Sequence, residues 1–298
     1  MNQVISRRTL LSGLGFVQTA AVRVVCGGDV MLARWVGRKA AEEKDWLRPL
    51  RGVAPAFLSA DIGLVNLESP FSETGPYDRT DMVFRARPEM VEALTGAGIN
   101  AVSLANNHVR DAGAEGLEYT IKLLEKNGIA VAGVGREAVI ERQGVKFRIL
   151  AYTYDQRNGN WTSDDARVPG LDAALAAADV AAARARGETV IVSMHAGWEY
   201  QKKANAQQRA FAAAVVKAGA ACVAGHHPHV VQEAEEIGGA PVFYSLGNLV
   251  FDQRDPGTGE GLLAEAVFEG GRVARWRTLK TRITNGAARL LHKYEEFR

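Results

Sequence analysis

Cysteine is nearly absent. The 298 residues include two, Cys26 and Cys222, too few for a disulfide framework, and each lies in an apolar strand-like run where a buried thiol is expected. Long apolar runs are missing as well: no stretch approaches the roughly 18 to 20 residues that cross a bilayer, which excludes a transmembrane span. Blocks of like charge are lacking too, since 36 Lys plus Arg stand against 34 Asp plus Glu, a formal charge of +2. No segment resembles a nucleic-acid-binding arm, and nucleic acid is excluded as a partner. The small excess is local, because residues 1–20 hold Arg7 and Arg8 and no acid. The rest of the chain is balanced and offers no long basic groove to a polyanion.

With 47% hydrophobic and 23% charged residues, the chain reads as a soluble globular protein large enough to hold a site without disulfides. Its start runs Ser6-Arg7-Arg8-Thr9-Leu10-Leu11, then a mildly apolar stretch to Val17, then Gln18-Thr19-Ala20-Ala21. That order of charged, apolar and small residues is an export signal, and the paired arginines resemble the twin-arginine type. Residues 1–20 are therefore expected to direct export to the periplasm or the outer face of the cytoplasmic membrane, leaving 21–298 as a single domain. Val25 stands before Cys26 where a lipid anchor would need a small residue.

Apolar runs at Val22 to Cys26, Ile62 to Val65, Ala101 to Leu104, Phe147 to Ala151, Val190 to Met194, Ala221 to Ala224 and Val242 to Tyr244 read as strands. Helical spacing joins Trp46, Leu50, Val53 and Phe57, and also Leu117, Ile121 and Leu124 up to a stop at Asn127-Gly128. Asn205 with Gln208 opens another helix, through Phe211 and Val215 to Gly219, and the alanine-rich Leu171 to Arg186 forms one more. Strands alternating with helices predict an α/β fold with a largely parallel arrangement. Leu262 to Phe268, the turn Glu269-Gly270-Gly271-Arg272 and Val273 to Leu279 predict a C-terminal β-hairpin, succeeded by a polar tail in which His292 is solvated.

The chemistry lies at the carboxyl ends of the strands. Six of them run into Gly27-Gly28-Asp29, Asn66-Leu67-Glu68, Ala105-Asn106-Asn107-His108, His195-Ala196-Gly197-Trp198-Glu199, Gly225-His226-His227-Pro228-His229 and Ser245-Leu246-Gly247-Asn248. Strand ends of this kind in α/β sheets converge on one crevice, which makes these groups neighbours. Clustered carboxylates repel and neutral imidazoles need partners, and a metal ion resolves both. Mixed oxygen and nitrogen donors without thiolate suit Mn, Fe or Zn. The donors outnumber what one catalytic ion uses, so two divalent ions about 3.5 to 4 Å apart are expected, an arrangement that most often serves phosphoester hydrolysis.

Gly28-Asp29-Val30-Met31, Asn66-Leu67-Glu68, Ala105 to His108 with Asp111 and Gly113, His195 with Glu199-Tyr200, Gly225 to Val230, and Tyr244 to Asn248 with Phe251-Asp252 together resemble the CapA family of bacterial capsule, or poly-γ-glutamate, synthesis proteins. That family is similar to calcineurin-like metallophosphoesterases, and the resemblance implies a four-layer α/β/β/α sandwich. It implies that Asp29 binds the first metal, Glu68 stands at the bridging position, Asn107 and His195 bind the second metal, and His229 with either His226 or His227 completes the set. His108 becomes the unliganded histidine that protonates the leaving group, and Asn66, Glu199, Tyr200 and Asn248 are expected to face substrate. The implied partners are an anionic polymer or phosphoester substrate and a capsule-synthesis complex. Met31 departs from the superfamily pattern by standing where a histidine ligand is usual, Glu68 replaces an aspartate, and Pro228 is inserted in the last histidine motif. The missing imidazole leaves open a metal-containing component that binds or exports polymer without catalysis.

Overall fold

The protein is described by a computed structural model over residues 20–77, 82–154, 166–294 and 296–298; most of the expected leader lies outside these residues. In strand β1 (Val22–Val30), Val24 and Cys26 pack into one apolar layer and the intervening Val25 into another. This period of two, expected of a strand buried on both faces, recurs in β7 (Thr189–His195), where Ile191 faces one layer and Val190 and Val192 the next.

Strands are numbered in chain order and form two sheets. The first contains β1, β2 (Ile62–Leu67), β3 (Ala101–Ser103), β4 (Ala130–Ala132), β11 (Asn248–Val250), β12 (Glu260–Glu269), β13 (Arg272–Thr284) and β14 (Ala287–Tyr294), in the order β14-β13-β12-β1-β2-β3-β4 with β11 paired to β1. The second contains β5 (Ala138–Arg142), β6 (Val145–Thr153), β7, β8 (Ala220–His226), β9 (Ala234–Ile237) and β10 (Ala240–Phe243), in the order β5-β6-β7-β8-β10-β9. Each has a parallel centre, β1-β2-β3-β4 and β6-β7-β8-β10, flanked by antiparallel strands. All seven strand-like runs of the sequence are strands here.

Helices α1 (Arg34–Glu43), α2 (Ala54–Leu58), α3 (Val91–Ala97) and α4 (Gly113–Lys126) cover the outer face of the first sheet through Val36, Phe57, Leu94 and Leu117. Helices α5 (Ala173–Ala185) and α6 (Ala206–Lys217) cover the second through Val180 and Phe211. Between the sheets lies a separate core containing Leu64, Ile149, Ile191 and both cysteines. Three cores between four layers make the expected α/β/β/α sandwich. The cysteines are buried and unbridged, and burial pushes the Cys26 thiol up to about 12.

Two expectations need correction. Trp46, Leu50, Val53 and Phe57 do not share a helix: turns precede α2, which starts only at Ala54. Pro49 lacks the N–H a helix interior requires, and Gly52 packs so closely on the Ala288 and Arg289 backbone that a Cβ would collide there. The spacing reflects successive tight turns that bury Leu50, Val53 and Phe57 all the same. The C-terminal hairpin β12–β13 forms as expected, but the polar tail is a further antiparallel strand, β14. The side chain of His292 lies outside the described residues.

Candidate metal centre

Register places the site. Asp29 pairs with Asn66 across β1 and β2, and Asn66 with Ser103 across β2 and β3. In the second sheet Thr153, His195 and His226 are level across β6, β7 and β8. Both sheets thus end their central strands at one edge of the sandwich, the first contributing Asp29, Asn66, Glu68, Asn107 and His108 and the second His195, Glu199, His226, His227 and His229. The close fit depends on Gly28 and Gly225, where a side chain would run into the Gly247 and Tyr244 carbonyls respectively.

Asp29, Glu68 and His195 are fully buried, with potential ligand atoms within 4.8 Å of one another. Glu199, His227 and His229 form a second such group. The groups touch, because His229 Nδ1 stands 3.5 Å from Asp29 Oδ2 and its Nε2 3.8 Å from Glu68 Oε1. Asn107 Oδ1 is 3.0 Å from His195 Nε2. His226 and His227 both reach the site: His226 Nδ1 is 3.5 Å from Asp29 Oδ1, while the His227 ring lies 4.8 Å from that of His195. His227 and His229 flank Pro228 in left-handed backbone, φ 94° and 57°, a strain of about 1–3 kcal/mol each that the surroundings must hold.

Burial dominates the electrostatics. It would raise the Asp29 pKa, but the His226 and His229 imidazoles, each with Nδ1 3.5 Å from an Asp29 oxygen, outweigh it and hold Asp29 well below the usual carboxylate range. Burial and the neighbouring Asp29 charge push Glu68 well above its usual range. Burial lowers His195 strongly and takes His227 to about 3, so both are neutral and ready to ligate. Burial also acts to lower His229, but the Glu68 and Asp29 carboxylates overcome it and raise the group to about 9.

A divalent ion fits this arrangement on an independent ground. Among the described residues, Glu68 Oε1, both ring nitrogens of His226 and Nδ1 of His227 are buried without a hydrogen-bond partner. Leaving four such atoms unsatisfied in one crevice is costly, and a set of imidazole and carboxylate donors suits Mn, Fe or Zn.

Asn66 is fully buried and donates to Asp29 Oδ1 at 2.8 Å and Glu68 Oε2 at 3.4 Å, and it receives the Asn106 amide at 3.1 Å. Asn248 is equally enclosed, contacting His229, Gln253 and the Thr258 carbonyl. Both are placed to orient ligands. Glu199 and Tyr200 lie at the exposed mouth, where burial and the Glu199 charge raise the Tyr200 phenol to about 12, keeping it a neutral donor. His108 is buried, with Nδ1 2.8 Å from Asp111 Oδ2. Met31 is buried in the core beneath the helices and its sulfur accepts the Ala33 N–H at 3.2 Å, so it adds nothing to the site.

Sequence reasoning missed Tyr154, whose ring lies 4.4 Å from that of His227, although it directly succeeds the end of β6. It also missed Phe84 and Arg34, which no periodicity marks.

Comparison with known proteins agrees with the ordered motifs. The "PGA biosynthesis protein CapA" of Bacillus subtilis is 29% identical over 237 residues, 76% of this chain and 62% of that protein. The "Capsule biosynthesis protein CapA" of Bacillus anthracis is 32% identical over 76% of this chain and 59% of that protein. A "Probable polyglutamine synthesis accessory protein" of Mycobacterium tuberculosis is 30% identical, covering 80% and 68%. The chain thus spans about six-tenths of the length of the two Bacillus relatives. The structure of Haemophilus influenzae NAD nucleotidase (NadN) aligns with a TM-score of 0.40 and 15% identity, over 92% of this chain and 49% of that one. The family model of the bacterial capsule synthesis protein PGA_cap matches residues 23–253, and the chain belongs to that family.

Proposed function

We propose that this protein is an exported component in the synthesis of an anionic envelope polymer of the poly-γ-glutamate type, and that it hydrolyses a phosphoester at a di-metal centre. The polymer is suggested by what the relatives are described as making, and export by the Arg7-Arg8 segment; among the described residues no helix is long and apolar enough to cross a membrane. A partner complex for polymer assembly belongs to the same reading. The observation that carries the hydrolytic part is the convergence of Asp29, Glu68, His195, His227 and His229 with buried, unpartnered donor atoms.

Asp29, Glu68, Asn107, His195, His229 and one or both of His226 and His227 would hold two divalent ions, Mn, Fe or Zn. When bound, such ions supply Lewis acidity and activated water near neutral pH. Asn66 holds both carboxylates in orientation, while Asn248 fixes the His229 ring. Asp111 holds Nδ1 of His108, which leaves Nε2 to protonate the leaving oxygen. Glu199 and Tyr200 would meet substrate at the mouth.

Met31 favours a second reading, in which a site short of one imidazole is kept for structure or for binding polymer carboxylates. The test is hydrolysis of aryl phosphodiesters and monoesters by protein reconstituted with Mn, Fe or Zn, beside Asp29→Ala and His108→Ala. Metal-dependent turnover lost in Asp29→Ala and impaired in His108→Ala, most with a poor leaving group, is expected. Stoichiometric metal binding without turnover would overturn hydrolysis in favour of the binding role.

A further inference from the structure

Phe84 lies in the irregular stretch between β2 and α3 and is fully buried. Its ring stacks on the His108 imidazole, with centroids 3.9 Å apart and planes 25° apart. Its backbone N–H donates to Asp111 Oδ2 at 2.6 Å, the same oxygen that lies 2.8 Å from His108 Nδ1. One residue therefore touches both the imidazole and its carboxylate partner. The guanidinium carbon of Arg34 lies over the same Phe84 ring, 4.6 Å from its centroid.

Arg34 is itself fastened. It pairs with Asp252, donating from Nε to Oδ2 at 3.2 Å, and sits in left-handed backbone at φ 51°, a conformation kept only where surroundings enforce it. The neighbouring Phe251 stands edge-on to Phe84 at 5.6 Å and to the His229 ring at 4.9 Å. The aromatic frame thus joins His108 to a candidate metal ligand. An ion pair spanning 218 positions closes it, linking the segment after β1 to the segment after β11.

We propose that Phe84, backed by Arg34 and Asp252, is the positioning element that fixes the His108 imidazole toward the leaving oxygen. Asp111 alone restrains one ring atom and leaves rotation about that hydrogen bond; the stacked Phe84 face removes it. The inference rests on the hydrolytic reading in assigning His108 a proton to deliver, while the stack stands on geometry alone.

The experiment compares the metal-loaded wild type with Phe84→Leu, Arg34→Met, Arg34→Lys, His108→Ala and Phe84→Leu/His108→Ala on two aryl phosphodiesters with good and poor leaving groups. Metal content and Tm establish that each variant is folded and loaded. Because a general acid is worth about 10²–10⁴-fold, Phe84→Leu should lower kcat roughly tenfold or more for the poor leaving group and far less for the good one, with KM little changed. Arg34→Met should show the same pattern in weaker form, Arg34→Lys should restore part of the loss, and the double variant should be no slower than His108→Ala. Equal losses on both esters, or additive losses in the double variant, would overturn the proposal. If the wild type hydrolyses neither ester, the hydrolytic reading fails and histidine-ring NMR decides the positioning. A His108 ring-proton signal shielded in the wild type and released in Phe84→Leu supports it, and an unchanged signal overturns it.

Discussion

Asp29 and Asn248 pair across β1 and β11, and the side-chain oxygen of Asn248 lies 2.9 Å from His229 Nδ1. An amide oxygen only accepts, so Nδ1 carries a proton whatever the charge of the ring, and Nε2, 3.8 Å from Glu68 Oε1, is the nitrogen left to take an ion once its own proton is displaced. Removing a group that orients a ligand histidine typically costs about 10- to 100-fold in metal affinity. Asn248→Ala should therefore weaken divalent-ion binding by that order with every ligand intact, and Asn248→Asp, which still accepts from Nδ1, should lose less. Competition with a fluorescent chelator measures both. Wild-type affinity in Asn248→Ala would refute the orienting role.

Metal should stabilise the fold. An ion at 100 times its Kd adds about 2.7 kcal/mol to folding stability through mass action, and Mn, Fe or Zn should accordingly raise Tm in scanning calorimetry. Chelation should reverse the rise and Asp29→Ala should abolish it. A Tm indifferent to all three ions would count against the centre.

The raised pKa of His229 makes a signed pH prediction for the chelated protein. The group moves from an ordinary 6.5 to about 9, and so its contribution to stability is fully present below about 6.5 and lost as pH rises through 9. Chelated wild type should lose Tm between about pH 7 and 9.5, and His229→Asn should be flatter over that window. Ion affinity should run the other way, strengthening as pH rises because binding displaces the His229 proton. Calorimetry in buffers of different ionisation enthalpy would count the protons released. Zero release near neutral pH would show that His229 is already neutral.

Met31→His tests whether the usual ligand pattern can be restored by one substitution. The Met31 side chain packs in the core beneath the helices, so a histidine there buries polar nitrogens away from the ions. Such burial costs about 1–3 kcal/mol, which urea denaturation would register, and bound metal should not increase. A tighter first ion in this variant would show that the side chain can turn toward the site.

The legible part of the sequence was whatever has a period or a strand end. Asp29, Glu68, Asn107, His195 and His229 each come after an apolar run, and parallel strands deliver such residues to one edge. The capping box of Asn205 and Gln208 was equally legible and forms with bonds of 2.9 Å in both directions. Phe84 was not, because it sits in a stretch without periodicity and its importance comes from contacts with Arg34, His108 and Phe251, distant in the chain. The helix expected from Trp46 to Phe57 failed because consecutive turns bury every third or fourth residue much as a helix does. The strand β14 was hidden because polar and apolar residues do not alternate along Ala287–Tyr294.

The division of donors between the sheets gives the centre a mechanical meaning. The Asp29, Glu68 and His195 group takes its carboxylates from one sheet and its imidazole from the other, so an ion held there would need both halves. A bound ion would rivet the two sheets together at one rim, while the opposite rim is joined by apolar packing and by hydrogen bonds such as that from Thr189 Oγ1 to the Gly271 carbonyl at 2.9 Å. Loss of metal should then loosen the sandwich from the ligand end inward, so that occupancy of the site reports whether the two halves of the molecule are properly closed on each other.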